Sequence, residues 1–103
     1  MVVLRFLPAL TLIAAAQAVA YDGFEADFAA CTQGSNKAEV MEACTRLIDN
    51  AKAENAVTGM FYGLRAANNG DPAQNCSDAQ KSLSLADDDA IKGLSQQLID
   101  ANC

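Results

Sequence analysis

The sequence predicts an all-α protein, a small disulfide-stapled helical bundle of four to five helices built around a helix-turn-helix hairpin. Three observations lead there. Apolar residues recur at three- and four-residue intervals in successive segments. No run alternates β-branched with polar residues as a half-buried strand would. Four cysteines lie in a chain of only 103 residues.

The elements follow in order. After Asp22 and Gly23, residues Phe24, Phe28 and Cys31 stand at i, i+4 and i+7, one face of a helix that Gly34 closes. Both phenylalanines are expected in the core or stapled to the next helix. Ser35 and Asn36 open the second helix, with Glu39 placed as a capping-box carboxylate. Val40, Met41, Cys44, Leu47, Ile48 and Ala51 form its apolar stripe, while Glu42 and Arg46 are spaced as an exposed i, i+4 ion pair. The chain turns near Glu54 and Asn55, and Val57, Met60, Phe61 and Leu64 mark the third helix. Gly59 and Gly63 lie four apart inside it. Glycine costs up to about 1 kcal/mol there, so the pair predicts close approach by a neighbouring helix. The run Asn68-Asn69-Gly70-Asp71-Pro72 stops the helix. A short fourth helix is expected from the capping pattern Ser77 with Gln80, carrying Ala79, Leu83 and Leu85. A fifth starts at Asp87-Asp88-Asp89, carries Ala90, Ile91, Leu94 and Leu98, and ends at Cys103.

Residues 1–20 read as a secretory signal peptide. Arg5 supplies the positive n-region, Phe6 to Ala16 is apolar apart from Thr11, and Ala18-Val19-Ala20 places small residues at a cleavage site before Tyr21. The apolar stretch is short for a membrane span and holds Pro8 and Gln17. No cysteine follows the site directly, the nearest being Cys31, which argues against a lipid anchor. Residues 21–103 are then a single all-α domain, periplasmic or secreted, with no membrane association after cleavage. A domain of that size is marginal on apolar burial alone. In an oxidising compartment Cys31, Cys44, Cys76 and Cys103 read as two disulfides, each contributing roughly 2–4 kcal/mol. Three pairings are formally open. The favoured pairing, which the spacing permits, is Cys31–Cys44 across the Gly34 turn with Cys76–Cys103 tying the start of the fourth helix to the end of the last, and the crossed pairings remain alternatives.

Composition removes several classes of function. The formal net charge is −6, and losing Arg5 with the leader makes the remainder more acidic still. Nucleic acid and anionic membrane need a basic stripe, and none is present. With no histidine, Ser-His-Asp and Cys-His nucleophilic sites and the usual catalytic zinc site are excluded. No Cys-x-x-Cys pair suggests zinc or a thioredoxin-type dithiol, and no glycine loop is shaped for phosphate. Three consecutive aspartates do not reproduce a calcium loop, and Asp87-Asp88-Asp89 is better read as negative charge at a helix start. Asn75-Cys76-Ser77 fits a glycosylation acceptor only formally. The chain therefore reads as a non-enzyme with no cofactor and no metal.

The run Cys44-Thr45-Arg46-Leu47-Ile48-Asp49, with Gly59-Met60-Phe61-Tyr62-Gly63-Leu64-Arg65-Ala66 and then Gly70-Asp71, resembles small exported tetratricopeptide-repeat-like proteins of bacteria. Cys31 stands where that family places an upstream cysteine, and Gly63 and Gly70 match its mid-helix and turn glycines. The resemblance implies a helical hairpin over residues 38–70 that binds protein. The helix after it departs from the pattern: Asn75 and Ala79 stand at the repeat's small and aromatic positions, and Asp87 replaces the closing proline. A single repeat does not build a solenoid. Tyr62, Arg65 and Asn69, near the end of the third helix, are the candidate partner-binding residues, since Tyr and Arg are enriched at interface anchors. A second resemblance, carried by the export signal, the few cysteines and the terminal Cys103, is to periplasmic immunity proteins that neutralise type VI cell-wall amidases. It implies an inhibitor of a secreted hydrolase.

Overall fold

The computed structural model describes residues 21–103; the leader read at residues 1–20 lies outside the described residues. Five helices follow one another: α1 Phe24–Gln33, α2 Lys37–Asn50, α3 Asn55–Asn68, α4 Pro72–Leu85 and α5 Asp89–Asn102. Among the described residues there is no strand.

Local chemistry sets most of the boundaries. Gly23, at φ 89°, takes the left-handed turn into α1 that a side chain would resist. The Asn36 carboxamide accepts from the Glu39 N–H at 3.1 Å and starts α2, as the capping pattern predicts. Asp71 accepts from the Ala73 N–H at 3.1 Å, and Pro72 occupies the first turn of α4. The fourth helix therefore begins five residues before the expected Ser77, which lies exposed within it. Asp71 and Pro72, read only as the end of α3, also open α4, because proline suits a first turn whose N–H has no helical partner. Asp88 caps α5 by accepting from the Ile91 N–H at 2.8 Å, the dipole-complementing role expected of the aspartate run.

Connections of three or four residues return the chain each time, so each helix packs on the next. In addition α1 touches α3 and α3 touches α5, whereas α2 and α4 make no contact. The helices thus stand in two rows, α1, α3 and α5 in one and α2 and α4 in the other. The single hairpin expected over residues 38–70 is one step in a stack that uses every helix.

The two ends of the stack cohere differently. Cys31, Val40, Ala43, Cys44, Leu47 and Phe61 form an apolar core among α1, α2 and α3, flanked by Phe24, Ile48, Val57, Met60 and Leu64. Phe28, expected inside, is 37% exposed and meets the Phe61 ring edge-on at 6.1 Å. Met41, placed by its spacing on the core stripe, is half-buried away from this cluster. At the other end the seam is small and polar. A side chain at Gly59 would stand 3.0 Å from the Leu85 Cβ and 3.2 Å from the Ser82 carbonyl, and one at Gly63 2.9 Å from the Ser82 hydroxyl. This is the close approach that the glycine spacing predicts. Ser82 donates to the Gly59 carbonyl at 2.7 Å, and the Ser95 hydroxyl lies 2.8 Å from Ser82 and 2.7 Å from the Ile91 carbonyl. Both serines are fully buried. The favoured cysteine pairing is the one present. Cys31–Cys44 spans 4.9 Å between Cα atoms and Cys76–Cys103 spans 5.1 Å, and no cysteine is free.

Candidate functional site

The three sequence-predicted contact residues sit at the end of α3, where two of them line one groove. Because α2 and α4 do not touch, the C-terminal end of α3 forms a floor between them. Met41 and Thr45 from α2, Arg65 and Asn69 from α3 and Gln74 from α4 enclose an open cavity of about 180 Å³. Tyr62 adjoins it with its ring under the Arg65 guanidinium, 5.4 Å from charge centre to ring centre.

Arg65 is held from three sides. Its Nε and Nη2 donate to the two Asp78 carboxylate oxygens at 2.8 and 2.7 Å, and Nη1 donates to the Thr45 hydroxyl at 3.2 Å. This forked geometry is the strong form of the ion pair. The Asp78 side chain is 2% exposed and that of Arg65 16%. The hydrogen bonds to Asp78 push the arginine further up from its ordinary value. Gln74 donates to the same carboxylate at 3.1 Å. The cation at the groove floor is thus neutralised from beneath, and it joins α2, α3 and α4 through one side chain.

Asn69 shapes the turn into α4. Its carboxamide oxygen accepts from the Asp71 N–H at 3.1 Å, and its carbonyl accepts from Asn75 Nδ2 at 2.8 Å. Asn75 also reaches the Asn102 carboxamide at 3.3 Å, tying the turn to the end of α5, while its own oxygen is buried without a partner among the described residues.

A second buried carboxylate lies at the other end of the molecule. Asp27 accepts from Arg46 Nε at 3.0 Å and from the Tyr21 hydroxyl at 2.5 Å. Arg46 therefore bridges α2 to α1, where its spacing suggests an exposed pair with Glu42. The Arg46 hydrogen bond holds the Asp27 carboxyl below its usual range. Burial, then the bond to Asp27, pushes the Tyr21 phenol up to about 12.

Chemically the groove offers hydrogen bonding and shape. Arg65 keeps unused N–H groups, Asn69 and Gln74 present amides, and Met41 supplies an apolar wall. Among the described residues no group of three His, Cys, Asp or Glu is gathered to hold a metal ion, and no helix is long and apolar enough to cross a membrane. Sequence reasoning missed Asp78, Thr45, Gln74 and Met41 as parts of this site. The available signal was on α4, where Asn75, Asp78 and Ser82 follow helical spacing on the face that also buries Ala79.

The chain matches no protein-family model, no curated protein and no solved structure.

Proposed function

We propose that residues 21–103 form an exported, non-catalytic protein-interaction module, working in the periplasm or outside the cell, that engages its partner through the groove between α2 and α4. The observation that carries this reading is the groove itself: Arg65 and Asn69, singled out from sequence, line one cavity with Met41, Thr45 and Gln74. Two disulfides suit an oxidising compartment. They also give a polar stack the rigidity that preorganised binding needs.

The decisive experiment is affinity purification of the tagged, oxidised mature chain from a periplasmic extract, followed by mass spectrometry. A reproducible partner that is lost on substituting the groove residues supports the reading. Recovery of the bare chain every time overturns it, as does hydrolase turnover that vanishes when one Asp or Glu is replaced. A secreted cell-wall hydrolase as the captured partner, inhibited on binding, would make the module an immunity protein.

A further inference from the structure

We infer that the partner presents to this groove an extended segment with a neutral polar centre and lysines or arginines on its flanks. The inference rests on the binding-module reading above and names the chemistry of its partner.

The centre follows from the floor. Arg65 spends three N–H groups on Asp78 and Thr45, which leaves further donors on a guanidinium whose charge is already balanced. Asn69 Nδ2 and Gln74 Oε1 take no partner among the described residues, so the floor holds both donors and an acceptor. Backbone amides or an Asn, Gln or Ser side chain satisfy that set without bringing a charge beside the Arg65–Asp78 pair. A partner carboxylate would meet a cation already neutralised. A partner ammonium would lie against the guanidinium.

The flanks follow from the rim. On α2 Glu42 and Asp49, both exposed, stand a turn to either side of Thr45, while Lys37 lies a turn before Met41 and Arg46 is paired with Asp27; Asp49 is near enough to favour the charged form of Arg65. At the other end the Asp71 backbone N–H donates to the Asn69 carboxamide oxygen, and the Asp71 carboxylate caps α4 at the Ala73 N–H. Lys81, two turns along α4 from Gln74, is the nearest lysine on that helix. The whole surface leans the same way. Of thirteen Asp and Glu, only Asp27 and Asp78 are buried, and each of these two holds one of the domain's arginines. Lys37, Lys52, Lys81 and Lys92 remain as exposed cations. Such a field steers a basic segment in and repels an acidic one.

The test uses the oxidised mature chain and two labelled peptides, each with a Gly-Asn-Ser-Gly centre, one flanked by paired lysines and one by paired glutamates. Fluorescence anisotropy should show binding of the lysine peptide alone. Glu42→Lys with Asp49→Lys should weaken it by about tenfold, and Gln74→Ala by about fivefold, the worth of one hydrogen bond. Asp87→Lys with Asp100→Lys changes the net charge equally at exposed positions elsewhere and should leave affinity within about twofold. Equal weakening by both double variants, or no binding of the lysine peptide, overturns the inference. A partner captured by the wild-type chain and still held by the Glu42/Asp49 variant also overturns it, while leaving the binding module intact. No captured partner and no peptide binding together overturn both.

Discussion

Asp78 is the side chain on which the groove floor depends, because it is 2% exposed and holds both forks of Arg65. Replacing it with asparagine leaves a cation with little exposure and no counter-charge. Breaking a buried pair from one side typically costs about 3–5 kcal/mol. Since Arg65 keeps some contact with solvent, about 3 kcal/mol is expected in urea unfolding. Arg65→Met combined with Asp78→Leu removes both charges and should come within about 1 kcal/mol of the wild type. Loss of binding in that stable double variant would then report recognition and not folding. The Asp27 cluster predicts a dependence on pH at both extremes. Asp27 is depressed below 3.8 by its bond to Arg46, so its contribution is present above that value and is lost as pH falls through the lower folded value. Tyr21 is raised from 10.0 to about 12 by burial and by Asp27. Its contribution is present below 10.0 and disappears as pH rises towards about 12. Urea melts across pH should therefore show Asp27→Asn flattening the acid limb and Tyr21→Phe flattening the alkaline one.

The helices differ in what makes them pack, and that difference decides what the sequence reveals. Helices α1, α2 and α3 bury Cys31, Val40, Cys44, Leu47 and Phe61, residues whose spacing announces a face. The third helix shows its glycines as well, because glycine is costly unless something lies against it. Gly59→Ala places a methyl 3.2 Å from the Ser82 carbonyl and 3.0 Å from the Leu85 Cβ. The backbone there has little room to give, so overpacking of about 1–3 kcal/mol should exceed the gain of about 1 kcal/mol in propensity. Helix α4 shows only in its second half, because the inner face of its first turns is Asn75 and Asp78, followed by Ala79 and Ser82, which no hydrophobic period detects. The Arg65–Asp78 pair is illegible for a related reason: it joins two helices, and nothing local links residues thirteen apart. What does show is the cysteine pair that compensates for this thin seam. Cys76→Ser with Cys103→Ser opens a closure of 27 residues and should cost roughly 3–4 kcal/mol. Hydrogen exchange should then locate the damage in α4 and α5, with α1 to α3 still protected around their apolar core.

Stacking in two rows gives the whole molecule a shape that follows from its short connections. Each helix reaches its sequence neighbour, and only those of the longer row reach one beyond, so contacts run along the stack rather than around a centre. Small-angle scattering from oxidised residues 21–103 should show a particle longer in one direction than in the other two, and an isotropic globule would mean that α5 folds back onto α1 or α2. The open row bears directly on binding. Were the five helices wrapped about one centre, α2 and α4 would meet and cover Arg65, whereas the open row leaves them apart with α3 as a floor between them. The Cys76–Cys103 variant connects the two properties. It should scatter as a larger and less uniform particle, because α5 is freed, and it should lose peptide affinity as well, because Asn69 is held in place through Asn75 and Asn102. A variant with altered scattering and full affinity would show that the groove needs only α2, α3 and α4.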